Sequence, residues 1–459
     1  MTDYRIWSGL NTIGGNIVEV RTKQARVICD FGLSVPSEEP TAAENMPELE
    51  KLLLRGELPA IPWLYDTAEF TVMELPSYQE AEMETVLFVS HLHLDHMGGL
   101  RYLPEGTCVY MSKDSYKLYQ TLIEAGEETA SCADIRFFVY GETIEVGDIT
   151  VTPKLSDHDV TGACALFIET DELKLIHSGD LRLSGDYPER VWKWAEEARQ
   201  WHPDVLLLEG TTFSFEESET TELTSERQLR EAWQHLLKEE RNQLIVVNPY
   251  IRNVERMRCL AHLTEEAGRV IVFEPEYAAV LTALYPEERW TVVTDELGAE
   301  LPYAKSTVTL REMQEQPANY VLQNSYKNRH YLAEFTGGMY CHSNGEPLGD
   351  YDPRYQVLKN FLNGHHFQWK EMGTSGHATK EELIEVAQTV QAKTTIPWHT
   401  FRPEKFFQAL NEVHVPSMLP ELSAVYSAEG AIPDSHTRVV PVIAGTKEEK
   451  NEADNTGNK

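Results

Sequence analysis

The segment SHLHLDHMGGL, residues 90–100, concentrates side chains that bind metal ions. It directly follows the apolar run VLFV, which is typical of a buried strand. In an extended chain, residues two positions apart face the same way, so His91 and His93 can reach one cation. A turn after His93 would bring Asp95 and His96 to a neighbouring position about 3.5–4 Å away, the spacing of two-metal sites.

The residue types in this segment indicate which cations it would take. Imidazole and carboxylate ligands together suit zinc, and also manganese or iron. Gly98 and Gly99 let the backbone turn tightly beneath the ligands. The alternative is a solvent-exposed, histidine-rich loop, but so dense a pattern directly after an apolar strand favours the metal site. We therefore expect two divalent cations, zinc first and manganese as the alternative.

The composition indicates a folded, multidomain protein with an acidic surface. The chain has 459 residues, of which 41% are hydrophobic, enough for two to three domains. Its 40 basic and 74 acidic residues give a formal net charge of −34. Such a protein repels polyanions at long range, which weakens a nucleic-acid hypothesis. It does not exclude one, because a local basic groove can exist within an acidic surface.

The lack of a recognisable targeting signal and the spacing of the cysteines predict the cellular compartment. We find neither a long uncharged apolar run nor a basic segment followed by an apolar one at the N-terminus. The six cysteines are widely spread, without a C-x-x-C pair. We expect a cytoplasmic protein with reduced thiols and no membrane attachment.

Strands and helices alternate around the histidine cluster and must position it. Residues 13–30 predict paired strands that end at Asp30. From about residue 213 to 370 a β-α-β-α series predicts a smaller parallel sheet. Its first helix opens with Ser225 and Gln228, the spacing of a capping box. Near residue 371 motif-bearing segments return, and Thr379 and Glu382 predict another capping box.

The arrangement of motifs resembles the metallo-β-lactamase superfamily. HLHLDH matches its H-x-H-x-D-H signature, and Asp30 in VICDFG, His158 in SDHDVTGA and Asp180 in HSGDLR follow in the expected order. By this resemblance, Asp30 orients the ligand loop from behind. The implied ligands are His91, His93 and His158 for one metal and Asp95, His96 and His399 for the other, with Asp180 shared.

Later segments resemble the β-CASP branch, a nuclease-like group that includes ribonuclease J. Glu209 in LLLEGTTF, His377 in TSGHA and His399 in IPWHT are similar to its acidic motif A, its motif-B histidine and its closing histidine. Gly373 departs from the pattern, since it stands where that branch has the first histidine of H-x-S-G-H. In the family that histidine helps to hold a terminal phosphate.

The resemblance implies an α/β fold class: a metallo-β-lactamase αββα sandwich with an inserted β-CASP α/β domain. The predicted boundaries are 1–212 and 371–445 for the two parts of the sandwich, 213–370 for the insert and 446–459 for a disordered acidic tail. Dimers are common among the proteins that the chain resembles, so a homodimer is one expectation for its assembly.

The function implied is that of a metal-dependent hydrolase, most of all a nuclease. It would cleave RNA, or DNA, by endo- or exonucleolytic attack of an activated water. Asp95 and Asp180 would serve catalysis as ligands, and His377, held by Glu209, would stabilise the transition state or protonate the leaving oxygen. Ser375 is a candidate contact for a substrate phosphate, or simply a turn residue.

Two other functions stay open on the same residues. One is a small-molecule hydrolase acting on an ester, a thioester or a cyclic nucleotide, which the acidic charge and Gly373 favour because a small substrate needs no basic track. The other is a non-catalytic scaffold, which a full set of metal ligands disfavours.

Overall fold

The structure is a computed structural model that describes residues 2–34, 46–216, 223–295, 301, 303–350, 352–432 and 442–443. The strands are β1 (Asp3–Ser8), β2 (Ile17–Arg21), β3 (Ala25–Cys29), β4 (Met73–Glu74), β5 (Glu84–Phe88), β6 (Cys108–Ser112), β7 (Asp134–Phe138), β8 (Ile144–Val146), β9 (Ile149–Leu155), β10 (Cys164–Glu169), β11 (Lys174–His177), β12 (Val205–Glu209), β13 (Ile245–Pro249), β14 (Val270–Phe273), β15 (Trp290–Val293), β16 (Ala304–Val308), β17 (Tyr320–Gln323), β18 (Gly338–Ser343), β19 (Phe367–Glu371), β20 (Thr394–Trp398), β21 (Val425–Ser427), β22 (Gly430–Ala431) and β23 (Val442–Ile443).

The α-helices are α1 (Glu48–Arg55), α2 (Leu94–Met97), α3 (Lys113–Glu124), α4 (Pro188–Trp201), α5 (Glu226–Glu239), α6 (Val254–Glu266), α7 (Pro275–Leu284), α8 (Leu310–Glu315), α9 (Pro353–Gly364), α10 (Lys380–Val390) and α11 (Pro403–Glu412). Short 3₁₀ helices span Tyr78–Glu80, Leu100–Tyr102, Thr211–Ser214, Pro317–Asn319 and Arg329–Glu334. Within the described ranges, no helix combines the length and the apolar character that crossing a membrane requires.

Three large sheets organise the strands. The first has the order β22-β21-β1-β2-β3-β5-β6-β7 and the second β20-β12-β11-β10-β9-β8. The third has the order β16-β15-β14-β17-β13-β18-β19, and each neighbouring pair in it is parallel. The expectation of a parallel sheet from the β-α-β pattern after residue 213 is therefore confirmed. β4 and β23 form a separate antiparallel pair.

The first two sheets pack face to face and form a four-layered sandwich with the helices outside them. Val27 and Phe88 of the first sheet share one buried cluster with Leu166 and Leu207 of the second. The other face of the second sheet is covered by α4, α10 and α11, which bury residues such as Trp194. α1 and α3 cover the other face of the first sheet. The expected αββα arrangement is thus present.

The third sheet carries helices on both faces, as parallel sheets do. Trp233 of α5 and Met257 of α6 lie in one buried cluster with Val247 of β13. Met313 of α8 and Leu358 of α9 belong to a separate buried cluster on the other side. The division of the chain at residues 212 and 370 stays a prediction, and the predicted tail, 446–459, lies outside the described residues.

Local capping explains where two of the helices begin. Thr379 and Glu382 exchange side-chain and backbone hydrogen bonds, so the capping box expected at α10 is confirmed. At α5, the Ser225 side chain accepts from the Gln228 backbone, as expected. The Gln228 side chain instead accepts from the Thr224 backbone, 2.9 Å away, so the second half of that box is absent.

The carboxyl ends of several strands converge on one side of the sandwich. β3 and β5 are parallel in the first sheet, and β11, β12 and β20 are parallel in the second. The carboxyl edge of parallel strands is where ligand sites of α/β proteins form. The sequence-predicted site residues that follow or end these strands are Asp30, His91, Asp180, Glu209 and His399.

Candidate metal centre

The HLHLDH segment changes conformation midway, as its spacing predicts. His91 to His93 continue from β5, and α2 then begins at Leu94 and carries Asp95 and His96. The two following glycines serve close packing. Both have right-handed helical backbone angles, and a Cβ at Gly99 would lie 2.8 Å from the Phe31 carbonyl oxygen.

Two ligand groups that share one residue occupy this edge of the sandwich. The first is His91, His93, His158 and Asp180, and the second is Asp95, His96, Asp180 and His399. Within each group, the ligand atoms all lie within 4.8 Å of one another. The structure therefore brings together every residue that the sequence analysis proposed as a ligand.

Asp180 lies between the two groups. Its Oδ2 atom is 3.2 Å from His96 Nε2 and 3.4 Å from His399 Nε2. The same oxygen is 3.6 Å from His91 Nε2 and 3.8 Å from His158 Nε2. One carboxylate therefore faces imidazoles from both groups, which is the geometry of a bridging ligand.

Hydrogen bonds behind the ligands orient their rings. His158 Nδ1 donates to the Gly376 carbonyl oxygen at 2.5 Å, and His96 Nδ1 donates to Asp30 Oδ2 at 2.7 Å. A carbonyl or carboxylate oxygen only accepts, so the proton of each neutral imidazole lies on Nδ1. The Nε2 lone pairs are then directed towards Asp180, as metal ligation requires.

Asp30 also holds the loop that carries His91. The Ser90 backbone donates to Asp30 Oδ1 at 2.7 Å, and the Ser90 hydroxyl donates to Asp30 Oδ2 at 2.8 Å. Because that hydroxyl already donates its only proton to the hydrogen bond with Asp30, it accepts from His91 Nδ1 at 3.0 Å. Asp30 itself is buried at a left-handed φ of 60°, so the turn after β3 aims its carboxylate at the ligand loop.

The polar atoms left in the centre fit bound cations. His91 Nε2 and Asp180 Oδ1 are buried, and no hydrogen-bond partner for them exists among the described residues. His96 Nε2 is 3.0 Å from His399 Nε2, and His158 Nε2 is 3.1 Å from His93 Nδ1. Lone pairs this close repel one another unless a cation or proton lies between them. The nitrogen and carboxylate donors therefore support the use of divalent metal ions.

The protonation of the metal-free histidines agrees with this arrangement. Burial lowers the pKa of His91 and of His158. Burial also opposes a charge on His96, but the carboxylates of Asp180, Asp95 and Asp30 outweigh it and raise its pKa well above the ordinary value. A proton on His96 thus partly substitutes for a cation when no metal is bound.

His377 and Glu209 form a pair beside the ligand groups. Glu209 is fully buried, and its Oε1 accepts from His377 Nδ1 at 3.0 Å. The His377 ring centroid lies 5.2 Å from that of His158 and 5.8 Å from that of His399. Burial lowers the pKa of His377, but the charges of Glu209 and Asp180 outweigh it and raise that pKa to about 9.

The loop before His377 contains Ser375 and Gly373. Ser375 is exposed, and its hydroxyl accepts from the His377 backbone and donates to the His377 carbonyl oxygen, both at 3.0 Å. These contacts are those of a turn residue, and the substrate contact stays a prediction. A Cβ at Gly373 would lie 2.5 Å from Asn344 Oδ1, so Asn344 occupies the space that a side chain there would need.

Three arginines near the site loops, Arg182, Arg252 and Arg256, are buried in ion pairs. Arg256 Nη2 lies 2.6 Å from Glu226 Oε1, which also accepts from Arg182 at 2.9 Å. Arg252 Nη2 lies 2.6 Å from Glu128 Oε2. They are therefore neither helix-surface charges nor unpaired cations.

Sequence reasoning missed Asp159. Asp157, two positions earlier, is buried and accepts from the Tyr187 backbone. Asp159 Oδ1 instead lies 3.3 Å from His93 Nε2 and 3.4 Å from His158 Nε2. Its position directly after His158 was the available signal.

Tyr250 was also missed, and no local pattern points to it. It follows β13 in the third sheet, yet its ring centroid lies 5.5 Å from that of His93. Thr211, whose hydroxyl lies 2.9 Å from His399 Nδ1, is a third such residue. Both contacts depend on packing between distant parts of the chain.

Comparison with known proteins bears on this centre. The family model described as "Beta-lactamase superfamily domain" matches residues 68–245, which contain HLHLDH, His158, Asp180 and Glu209. Over these residues the chain is similar to that superfamily. The match ends at the first residue of β13, where the third sheet begins.

Similar proteins point to one branch of the superfamily. Endoribonuclease ysh1 of Schizosaccharomyces pombe is 30% identical over 159 residues, which are 30% of this chain and 20% of that protein. Ribonuclease J of Helicobacter pylori strain J99 is 23% identical over 328 residues, 68% of this chain and 41% of that protein. Ribonuclease J of Sinorhizobium meliloti is 24% identical over 330 residues, 68% of this chain and 57% of that protein. These relatives are β-CASP members.

A solved structure is similar to almost the whole chain. The crystal structure of a protein of unknown function from Enterococcus faecalis V583 superimposes with a TM-score of 0.78 at 28% identity. The match covers 93% of this chain and 99% of that one. The curated relatives are longer, and this chain spans between a fifth and somewhat more than half of their lengths.

Proposed function

We propose that the chain is a dinuclear-metal hydrolase of the β-CASP type that cleaves RNA phosphodiester bonds with an activated water. The observation that carries the proposal is the pair of ligand groups sharing Asp180, with the His377–Glu209 pair beside them. The printed names of the relatives, endoribonuclease and ribonuclease, support RNA over DNA as the substrate.

Zinc is the cation that we propose for both positions, with manganese as the alternative. The six imidazole and carboxylate side chains around Asp180 are ligands that zinc accepts. When bound, the two cations supply Lewis acidity to the phosphate and lower the pKa of a water molecule. Protein side chains supply the other parts of the mechanism.

His377 is the proposed acid. Its Nδ1 is held by Glu209, so the proton for chemistry is the one on Nε2. A water molecule that has given one proton to solvent attacks phosphorus through its oxygen, the bond from phosphorus to the leaving oxygen breaks, and the Nε2 proton passes to that oxygen. Glu209 keeps the imidazolium charged before the reaction and oriented during it. Asp30 keeps the ligand loop in place through Ser90.

We also propose that residues 213–370 form an inserted β-CASP domain and that substrate lies between it and the sandwich. The third sheet supports this division, because β13 to β19 all fall between Ile245 and Glu371. The contact between Tyr250 and His93 supports a cleft at this boundary, the kind of place where substrates bind.

The test is cleavage of end-labelled, single-stranded RNA and DNA by the full chain, stripped with chelator and reloaded with zinc or manganese. We expect RNA cleavage with at least one metal. In His91→Ala and Asp180→Ala we expect cleavage to be lost together with at least one bound metal. His235→Ala is the matched control, because that histidine is exposed on α5 and forms an ion pair with Glu239. RNA that stays intact with both metals would overturn the proposal.

A specific observation favours a second candidate, the small-molecule hydrolase. The arginines that contact the site loops, Arg252 and Arg256, are each paired with a buried carboxylate. Together with the net charge of −34, this leaves less positive charge for a polyanion than a nuclease uses. Hydrolysis of a thioester or a cyclic nucleotide, together with intact RNA, would select this candidate.

A further inference from the structure

Tyr250 brings a phenol from the third sheet into a centre whose ligands all come from the other two sheets. It lies in the loop after β13 and is 8% exposed. Its ring is tilted by 54° against that of His93, with the centroids 5.5 Å apart. Neither the ligand groups nor the His377–Glu209 pair includes it.

The loop that carries Tyr250 is clamped to the ligand loop. Arg252 Nη1 donates to the carbonyl oxygen of Leu92 at 2.9 Å, and Leu92 lies between His91 and His93. Arg252 Nη2 is bound to Glu128 at 2.6 Å, with side chains only 4% and 9% exposed. These contacts fix the position of the phenol relative to the ligands. A side chain from another sheet can serve catalysis only if it is held in place in this way.

The hydroxyl of Tyr250 makes no hydrogen bond in the part of the chain that the structure describes. The ring packs against that of His93, a member of the first ligand group. The hydroxyl is therefore left to hydrogen-bond with water or with a substrate beside that group.

We propose that Tyr250 is a catalytic residue that donates a hydrogen bond from its hydroxyl to a non-bridging oxygen of the phosphodiester. This inference rests on the proposed function. Negative charge grows on these oxygens in the transition state, so a donor held in place there lowers the barrier more than it tightens binding. In the proposed function His377 protonates the leaving oxygen, so the non-bridging oxygen remains as the acceptor for Tyr250.

A purely structural role makes a different prediction. If the ring only packs against His93, then Tyr250→Phe keeps that contact and leaves catalysis unchanged. The donor role predicts the opposite, because Tyr250→Phe removes the hydroxyl alone. The effect of Tyr250→Phe on kcat therefore distinguishes the two roles.

The experiment compares Tyr250→Phe with the unaltered full chain, both loaded with metal, on single-stranded RNA. We expect kcat to fall on the order of 100-fold, the effect of losing one such donor, with KM and metal per chain unchanged. Tyr340→Phe is the matched control. It removes the hydroxyl of a fully buried tyrosine in the same sheet, and the ring of that tyrosine stacks on Trp369 rather than on a ligand. We expect it to keep the original kcat.

A second readout uses substrate with sulfur at a non-bridging position of the scissile phosphate. Sulfur accepts hydrogen bonds weakly, so we expect the substitution to slow the unaltered enzyme more than it slows Tyr250→Phe. An unchanged kcat in Tyr250→Phe, or equal sulfur effects in both proteins, overturns the role of Tyr250 alone. If the unaltered chain cleaves no phosphodiester, the proposed function and this inference fall together.

Discussion

His377 and Glu209 are 168 positions apart in the chain, and yet His377 Nδ1 donates to Glu209 Oε1 at 3.0 Å. Glu209 ends β12, and His377 lies in the loop before α10. The other carboxylate oxygen accepts from the Thr211 backbone at 2.9 Å, so the carboxylate cannot rotate away. A buried, oriented carboxylate of this kind controls both the charge and the direction of the imidazole.

Removing the charge of Glu209 is expected to lower the pKa of His377. In chelator-treated protein, Glu209→Gln should move that pKa from about 9 towards the ordinary value, because an amide cannot stabilise the imidazolium as a carboxylate does. The measurement is an NMR titration of the imidazole resonances. Glu196→Gln, at an exposed position of α4, should leave the titration unchanged. A His377 pKa that does not respond to Glu209→Gln would contradict the assignment of the pair.

Asp180 is expected to control both metal positions, whereas His399 controls one. Asp180 Oδ2 lies between the two groups, so Asp180→Asn should reduce bound metal at both. His399 is a member of the second group and not of the first, so His399→Ala should retain one metal per chain. The measurement is elemental analysis after dialysis against a weak chelator. Equal losses in both variants would argue against a shared ligand.

Asp159 is expected to strengthen metal binding through His93. Its Oδ1 lies 3.3 Å from His93 Nε2, and its negative charge there raises the basicity of the ring. Asp159→Asn should weaken metal affinity by about 10-fold or more, the usual cost of removing such a partner. Competition with a fluorescent chelator measures this change. Asp171→Asn, in the exposed turn between β10 and β11, is the control that should bind metal normally. Unaltered affinity in Asp159→Asn would assign the residue no part in the centre.

Glu226 is expected to make the free energy of unfolding depend on pH in the acidic range. Burial opposes its charge, but Arg256 and Arg182 outweigh the burial and lower its pKa to about 2, from an ordinary 4.5. A carboxylate whose pKa is lowered by folding stabilises the protein above pH 4.5, and this contribution is lost as the pH falls towards 2. Glu226→Gln should therefore cost about 3 kcal/mol in the free energy of unfolding at pH 7.

Urea denaturation at several pH values checks this expectation. The difference between the unaltered protein and Glu226→Gln should narrow between pH 4.5 and pH 2, because both then carry an uncharged side chain there. Glu231→Gln, exposed on the same helix, should show no such narrowing. A constant difference at all pH values would mean that the ion pairs with Arg182 and Arg256 contribute little.

The sequence by itself determined the local features of this protein. The apolar run followed by HLHLDH predicts a strand that turns into ligands, and β5 and α2 have that form. Thr379 and Glu382 determine the start of α10 by hydrogen bonds within one helical turn. These features depend only on backbone period and neighbouring residues, which a linear pattern contains. The wider ligand set came from resemblance to a family.

Only the tertiary structure decided which side chains meet across the chain. Asp159 rather than Asp157 faces the centre, Tyr250 reaches it from the third sheet, and Arg252 is bound to Glu128. Each contact joins segments that lie tens to hundreds of positions apart, or depends on the direction in which one short loop leaves a strand. Such contacts follow from how sheets pack and where strand ends converge, and no periodicity within a single segment encodes that.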